Sequence, residues 1–326
     1  MDIDTLQTKV EQQASIRHDE TMTGGDLLKE MTREDRPSTE HAIRQFASVV
    51  KVPTAWAIKT YQEDRDLFNR NMRHGLARSD REKYFVRSWG NEIGAVFSTR
   101  YGTVNHAEIL RLARPFLVRH QLAFSSGSVS RGNMSLRVVS PGETHLTASY
   151  RTNDRLQSGI AIHNSETGEL RFELSSFILA LLCLNGIMGQ REDKQSRKHI
   201  GDAMTDAISY LQGIPALLQQ ASIEPIERAT RATVTLGKDD YRITAVSNLL
   251  TRMRHPGSYA EAIVKELALP VGQSELSQWQ LVNGITAVAR ELEPVTRRGL
   301  EITASKLLRA TPKMIEDGFK SYSMAA

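Results

Sequence analysis

One stretch of this chain, residues 85–186, changes from the helical spacing of apolar residues to alternation. The run LRFEL at 170–174 alternates apolar and charged side chains, as a strand with one buried face requires. Two turn-forming sequences, SPGE at 140–143 and NSETG at 164–168, separate the extended runs. Short connections of this kind join neighbouring antiparallel strands. We therefore expect one mainly antiparallel sheet of about five to seven strands, built from this contiguous block.

The segments on either side of this block have the spacing of helices. This pattern predicts the α+β class, with N-terminal helices, an antiparallel sheet and a C-terminal helical region. The length of 326 residues accommodates one large domain or two moderate ones. We predict an acidic, partly flexible N-terminal arm, an α+β core domain, a helical C-terminal region and a tail, at 1–40, 41–220, 221–311 and 312–326 respectively.

Local signals place several single elements. Thr39, or Ser38 before it, can cap a helix, and Pro53 suits the first turn of the next one. Residues 69–81 are basic and polar and indicate a loop or the end of a helix. A long helix is expected at 190–220, although the cations in its first turns run against the helix dipole. Another helix is expected at 106–120, and strands at 84–89, 94–101, 133–139, 144–150, 158–163 and 169–184.

Charge is distributed unevenly along the chain, although its net value is only +4. Residues 1–40 hold 5 Lys and Arg against 10 Asp and Glu, residues 41–155 hold 18 against 9, and residues 156–326 hold 19 against 19. The excess positive charge thus lies on the segment that leads into and through the first half of the sheet. A basic block of this kind suits a face that binds a polyanion, and it equally suits an ordinary solvated face.

Sequence motifs for catalytic, metal or nucleotide sites are absent. The chain lacks GxGxxG, a Walker A loop and GxSxG, and the HxE at 106–108 lacks the PCxxC that accompanies it in zinc deaminases. The single cysteine, Cys183, lies in an apolar run, where a thiol is a poor nucleophile. We therefore predict no enzyme, no cofactor and no metal, and an enzyme acting on nucleic acid is the third hypothesis.

The chain also lacks the signals of a membrane or secreted protein. No run of about 18 uncharged apolar residues is present, and the first residues are acidic without an apolar segment. A single cysteine fits a reducing compartment. We expect a cytoplasmic protein with no membrane partner.

Aromatic and basic residues interleave in the predicted sheet, with Tyr84, Trp89, Phe97 and Tyr101 lying among arginines. Proteins that bind single strands combine cations, which follow the phosphates, with aromatic rings that stack on bases. The alternative is that these rings belong to the core. The candidate phosphate contacts are Arg100, Arg131, Arg151, Arg155, Lys194, Arg197 and Lys198, and the candidate stacking residue is Tyr150.

Several segments between residues 41 and 292 form a distinctive set of motifs. The set begins with HAIRQFASVVKVPTAWAIKTYQEDRDLFNRNMRHGL at 41–76 and VFSTRYGTVNHAEIL at 96–110. It continues with SGIAIHNSETGELRFELSSFILALLCLNGIM at 158–188, Lys198-His199 and QWQLVNGITAVAREL at 278–292. Together these motifs resemble a protein family carried by phages and plasmids, whose members have no established activity. The resemblance implies DNA metabolism of a mobile element and places no catalytic residue.

The predicted order of elements is loosely similar to that of ring-forming single-strand annealing recombinases. In those proteins DNA lies in a basic groove between the sheet and the next helix. The leading hypothesis is therefore a homo-oligomeric protein that binds nucleic acid, with single-stranded DNA favoured. The alternative is a protein-interaction factor, such as an inhibitor of a host defence system or an assembly protein, whose acidic arm docks on a basic surface.

Overall fold

A computed structural model describes residues 2–145, 155–180, 185–188, 194–220 and 223–320. Within these ranges the chain has the expected α+β class, with antiparallel sheets, helices before them and a helical C-terminal region. The described strands form two main sheets, of three and six strands, where the sequence predicted one. The predicted antiparallel sheet of five to seven strands is confirmed by the six-stranded sheet, but that sheet does not contain the first hairpin of the block 85–186, which pairs with a strand from the N-terminal segment instead.

The first sheet and its helices come from the first hundred residues. The sheet has the strand order β1 (Arg17–Thr23), β2 (Lys83–Trp89) and β3 (Glu92–Ser98). The helices of this segment are α1 (Ile3–Ser15), α2 (Gly24–Thr32), α3 (Glu40–Val49), α4 (Thr54–Glu63) and α5 (Arg65–Leu76), of which α2 to α5 pack against the first sheet and α1 against the second. Thr39 caps α3 as predicted, since its hydroxyl accepts a hydrogen bond from the Ala42 N–H. Most of the segment 69–81 is the end of α5 rather than a loop.

The N-terminal segment is part of the fold. β1 pairs with β2 along its whole length, and Leu6, Leu27 and Met31 are fully buried. The partly flexible arm predicted for residues 1–40 was therefore wrong for α1, β1 and α2. The apolar anchors are few and lie among many acidic residues, so the composition of this segment concealed them.

The second sheet is antiparallel and has the order β4 (Ala123–Ser130), β5 (Asn133–His145), β6 (Arg155–Ser165), β7 (Phe172–Ala180) and β8 (Asn185–Met188), with β9 (Lys194–Arg197) also paired to β7. One face packs against the helices α1, α6 (His106–Arg119), α7 (Ala203–Gln212) and α8 (Ile214–Gln220). Leu136, Ile160 and Leu174 are fully buried there.

The two predicted turns have different outcomes. NSETG joins β6 to β7 as expected, with Gly168 at φ +80°. SPGE at 140–143 lies inside β5, where the register with β6 shifts between Val139 and Glu143. The Ser140 hydroxyl donates to the Ser158 carbonyl at 3.1 Å, so the segment is a bulge rather than a turn.

The long helix predicted at 190–220 was wrong. Residues 190–193 lie outside the described ranges, residues 194–197 form β9, and α7 begins only after Asp202, whose side chain accepts a hydrogen bond from the Thr205 N–H. The cations at 194–198 therefore do not lie at a helix N-terminus, which removes their conflict with the helix dipole. An open edge of β7 at Phe172 to Ser175 provides the pairing that overrides the helical spacing.

The C-terminal region is helical around a core in which Trp279 is fully buried and to which Leu156 of β6 and Ile178 of β7 also contribute. Its elements are α9 (Glu224–Arg231), β10 (Thr233–Thr235), α10 (Arg242–Arg252), α11 (Ala260–Leu267), β11 (Glu275–Ser277), α12 (Gln278–Arg290), α13 (Pro294–Arg309) and α14 (Pro312–Phe319). The tail predicted at 312–326 was wrong for α14, because Ile315 and Phe319 are buried in this core. In the described part of the chain, no helix has the length and apolarity needed to span a bilayer.

Candidate nucleic-acid interface

An open groove of about 870 Å³ lies where the end of α3, the loop before β2 and the end of β3 meet. Its cationic lining residues are Lys51, Arg78, Arg81, Lys83 and Arg100. Its acidic lining residues are Asp80 and Glu82. The groove therefore has a marked excess of positive charge, and its residues come from the part of the chain in which the sequence concentrates cations.

Tight packing of two helix ends shapes the first wall. α3 ends at Val49, and Lys51 follows in the left-handed region at φ +58°, a conformation that an L-residue adopts at a cost. The Val52 N–H donates to the Ala47 carbonyl at 2.9 Å, which closes this helix end. Gly75 of α5 lies directly against it, since an added Cβ would lie 2.6 Å from the Val50 carbonyl oxygen. The loop with Arg78 and Arg81 consequently starts beside Lys51.

A turn after β3 forms the opposite wall of the groove. The Tyr101 N–H donates to the Ser98 carbonyl at 2.9 Å, so that Arg100 lies at the tip of the turn. Tyr101 then forms an isolated antiparallel bridge with Ile200, and the Gly201 N–H donates to the Arg100 carbonyl at 3.1 Å. This pairing places Gly201 opposite Arg100 and His199 opposite Gly102.

The groove cations are accessible and have no acidic partners. Lys51, Arg78, Lys83 and Arg100 are exposed, and Arg81 is half-buried with its guanidinium 5.8 Å from the centre of the Tyr84 ring. Within the described ranges, none of these five side chains forms an ion pair. Asp80 and Glu82 do not neutralise them by direct contact. The groove can therefore offer several cations to an anionic ligand.

A second depression of about 420 Å³ adjoins the groove and shares Val49, Arg81 and Ser98 with it. Phe97 lines this niche and is half-buried, with its ring stacked on Tyr101 at 3.7 Å between centroids and 10° between planes. Of the four aromatic residues considered above, Tyr84 and Trp89 are buried in the core. The core interpretation is therefore correct for these two, whereas Phe97 lies beside the cations.

One of the predicted phosphate contacts, Arg100, lines the groove. Lys198 is exposed and precedes the segment from His199 to Gly201, which pairs with Arg100 and Gly102, but it is not a lining residue of the groove. Arg197 precedes Lys198 at the end of β9 and forms an ion pair with Asp206, with 2.6 Å between Nε and Oδ2. The backbone of Lys194 pairs with Ser175 at the start of β9.

The other predicted contacts lie elsewhere. Arg131 is at the tip of the β4–β5 hairpin and forms an ion pair with Glu92. Arg155 begins β6, whose other end at Ser165 faces that hairpin, so about 30 Å of strand separates Arg155 from Arg131. Tyr150 and Arg151 lie outside the described residues. Of the candidates that the structure describes, Arg100 lines the groove, whereas Arg131 and Arg155 lie about 30 Å apart along the larger sheet.

A buried polar network lies behind the groove. The Arg87 guanidinium donates to Asp19 and to the Glu166 carbonyl, and Arg17 donates to the Glu166 carboxylate at 2.9 Å. The backbone N–H of His106 also donates to this carboxylate, at 2.7 Å. The network joins β1 and β2 to the β6–β7 turn and to the start of α6. Because Arg87, Glu166 and His106 are buried, a ligand cannot reach them without opening the fold.

Burial and charge shift the pKa values of this network. Burial lowers the pKa of His106, and it lowers the pKa of His199 to about 4 with the help of the Arg87 charge. Burial alone would raise the pKa of Glu166, but the charges of His106, Arg17 and Arg87 outweigh it and hold that pKa below its usual value. Glu166 is therefore a carboxylate that links the two main sheets, and His199 is neutral at physiological pH.

No metal centre accompanies these residues. Among the residues that the structure describes, no group of three or more His, Cys, Asp or Glu side chains could hold a metal ion. Cys183 lies outside the described ranges. The chemistry that the groove itself offers is the binding of an anion by charged side chains.

Sequence reasoning did not select four of the groove cations as candidates, namely Lys51, Arg78, Arg81 and Lys83. Arg78 and Arg81 lie in the basic run at 69–81, which was interpreted as a loop or the end of a helix and not as part of a binding site. The available signal was the local density of cations in that run. What the sequence could not show is that α3, β2 and β3 bring them around one groove.

Comparison with known proteins gives no relative. No family model matches the chain, and neither a curated protein nor a solved structure is similar to it.

Proposed function

We propose that this protein binds single-stranded nucleic acid in the basic groove, with the phosphates on its cations and a base in the adjoining niche. The observation that carries the proposal is the convergence of five cations without acidic partners beside a half-buried aromatic ring. Cations that are exposed and unpaired release counterions when a polyanion binds, and this release drives association.

The niche favours a single strand over a duplex. In a duplex the bases stack on each other and their faces are inaccessible, whereas an unpaired base can stack on an aromatic ring or on a guanidinium. Phe97 and Arg81 both line the niche and offer these two kinds of contact. Arg81 also lines the groove, so one residue connects the proposed phosphate and base sites.

The wider context rests on the sequence motifs. Their resemblance to a phage- and plasmid-borne family supports a role in the DNA metabolism of a mobile element, including the annealing or recombination of single strands by a homo-oligomer. We propose single-stranded DNA as the ligand on this basis, and RNA of equal length is a necessary comparison in every titration.

Fluorescence anisotropy of a labelled oligonucleotide tests the proposal directly. The test variant replaces Lys51, Arg78 and Arg100 with Gln, and the control variant replaces the exposed Lys238, Lys265 and Lys313 with Gln. Both variants lose the same net charge. If each groove cation contacts one phosphate, the test variant should lower the slope of log K against log salt concentration by about 2, since each contact contributes about 0.7.

The control variant should keep the slope and most of the affinity of the wild type. Equal losses in both variants would show that net charge alone drives binding and would remove the groove from the proposal. The absence of binding to either DNA or RNA at low salt would overturn the function itself.

The same titrations distinguish the alternative of a protein-interaction factor. Deletion of residues 1–40 cannot serve this purpose, because it removes β1 from a three-stranded sheet together with the buried Leu6 and Leu27. The groove variants keep these elements intact and are the better test.

A further inference from the structure

The second face of the larger sheet is polar where it meets α13. Cross-strand pairing places Ser126 beside Arg137, and Ser135 beside both Ser128 and His163. Paired residues point to the same face of a sheet, so these side chains form one continuous surface. Leu136 and Ile162 point to the opposite face and enter the apolar core. This polar surface is separate from the basic groove.

Three arginines meet two carboxylates at this junction. The Glu301 carboxylate of α13 accepts from Arg137 of β5 and from Arg297 of its own helix, with 3.0 Å between Arg297 Nε and Glu301 Oε1. Arg298 forms an ion pair with Glu173 of β7. Glu301 is therefore shared by two guanidinium groups. Its single negative charge leaves one positive charge uncompensated between Arg137 and Arg297.

A small, largely enclosed cavity of about 20 Å³ opens beside these two arginines. The side chains that line it are Ser126, Ser128, Ser135, Arg137, His163 and Arg297. A cavity of this size holds one water molecule or one monatomic ion. The serine hydroxyls and the guanidinium groups can all donate hydrogen bonds into it, and no carboxylate lines it.

At least one of the hydrogen-bond donors at this cavity has no acceptor within the protein. Arg137 is 97% buried, since only 3% of its surface is exposed, and its Nε has no hydrogen-bond partner. Burial, together with the charge of Arg137, lowers the pKa of Arg297. Both findings indicate a shortage of negative charge, which is costly for buried guanidinium groups.

We propose that this cavity binds one small monovalent anion, which in a cell is chloride, and that the anion joins α13 to the sheet. The anion accepts hydrogen bonds from the two guanidinium groups and from the serine hydroxyls, and it balances the charge that Glu301 leaves uncompensated. Its binding stabilises the folded chain because the site exists only where β5 and α13 are in contact. This inference does not depend on the binding of nucleic acid.

Crystals grown in sodium bromide test the site itself. Bromide replaces chloride and scatters anomalously, so we expect an anomalous peak within hydrogen-bond distance of Arg137 and Arg297. A cavity with ordinary density for water and no anomalous signal would overturn the proposal.

Urea unfolding of the full chain tests the energetics. At equal ionic strength, the urea midpoint should rise when sodium gluconate is replaced by sodium chloride, because gluconate is too large for the cavity. The replacement Arg297→Gln should weaken the chloride dependence by at least about tenfold in apparent dissociation constant, since it removes a charged donor.

Lys306→Gln is the matched control, since Lys306 is exposed on the same helix and its loss removes the same charge. This variant should keep the full response to chloride. If Arg297→Gln does not fold, the double variant Ser128→Ala and Ser135→Ala removes two donors and keeps every charge, and it should also weaken the response. If both the double variant and Arg297→Gln kept the full response to chloride, the proposal would be wrong.

Discussion

The Arg87 guanidinium holds both carboxylate oxygens of Asp19, with 2.7 Å from Nε to Oδ1 and 2.7 Å from Nη2 to Oδ2. Arg87 lies on β2 and is fully buried, whereas Asp19 lies on the N-terminal strand β1. The same guanidinium donates to the Asn105 side chain at 3.1 Å and to the Glu166 carbonyl at 3.3 Å. One buried arginine therefore connects the N-terminal segment to the turn of the larger sheet.

Removal of Asp19 should destabilise the whole chain. Asp19→Ala takes the bidentate partner from the buried Arg87 guanidinium, but the Asp19 side chain is itself 29% exposed and Glu166 remains 4.0 Å from Arg87. The expected loss is therefore that of charged hydrogen bonds, about 1.5–3 kcal/mol. Urea unfolding measures the loss. Glu40→Ala is the control, because the pair between Glu40 and Arg44 is exposed and such pairs contribute at most about 1 kcal/mol. Similar losses in the two variants would contradict the role given to Arg87.

His199 should make stability depend on pH. Burial is the main cause that lowers its pKa to about 4 in the folded state, while the unfolded chain keeps a value near 6.5. Between these values the unfolded state binds a proton that the folded state does not. The contribution of His199 to the free energy of unfolding is therefore fully present above about pH 6.5, and it decreases by about 3 kcal/mol in total as the pH falls toward 4.

His199→Gln should remove this part of the pH dependence. Urea midpoints measured between pH 4 and 7 should fall less steeply for the variant than for the wild type, although His106, whose pKa burial also lowers, retains its own contribution. His74→Gln is the control, because His74 is exposed on α5. Parallel pH profiles for His199→Gln and the wild type would show that His199 is not held neutral by the fold.

Local signals in the sequence predicted single elements better than their partners. The cap at Thr39 and the helix α6 are where the sequence predicts them, because caps and amphipathic spacing act within a few residues. The pairing of β1 with β2 joins residues about 70 positions apart and leaves no local signal. For the same reason Arg100 was identified as a candidate, whereas its convergence with Lys51 was not.

The structures of β9 and α14 depend on contacts with residues that are distant in the sequence, and local patterns therefore did not predict them. Residues 194–197 have helical spacing, yet an open edge of β7 provides hydrogen bonds that a helix would otherwise supply internally. The sequence after Pro312 was interpreted as a tail, because one turn of apolar residues is too short to suggest burial. Phe319 is nevertheless buried against the C-terminal core.

Gly102 should be required for the wall of the groove that contains Arg100. A Cβ at this position would collide with the backbone oxygen of Gly201, which cannot move without breaking the bridge between Tyr101 and Ile200. Gly102→Ala should therefore cost roughly 1–3 kcal/mol of stability and weaken binding of single-stranded DNA. Unfolding and anisotropy titrations measure the two effects.

Gly142→Ala is the control for this substitution, because its added Cβ would meet no atom within 4 Å. Its stability should remain within about 0.5 kcal/mol of the wild type, as for most surface changes. If Gly102→Ala were equally harmless, the segment from His199 to Gly201 would not be fixed against Arg100 in solution.

Phe97 separates the contribution of base stacking from that of phosphate contacts. Phe97→Leu keeps an apolar side chain beside Tyr101 but removes the aromatic face from the niche, so affinity for single-stranded DNA should fall by about 1–3 kcal/mol. The salt slope should not change, because no cation is lost. Phe116→Leu, on the half-buried surface of α6, is the control and should leave both quantities unchanged. A lower salt slope in Phe97→Leu would mean that the ring positions the cations rather than a base, and an unchanged affinity would remove the niche from the binding site.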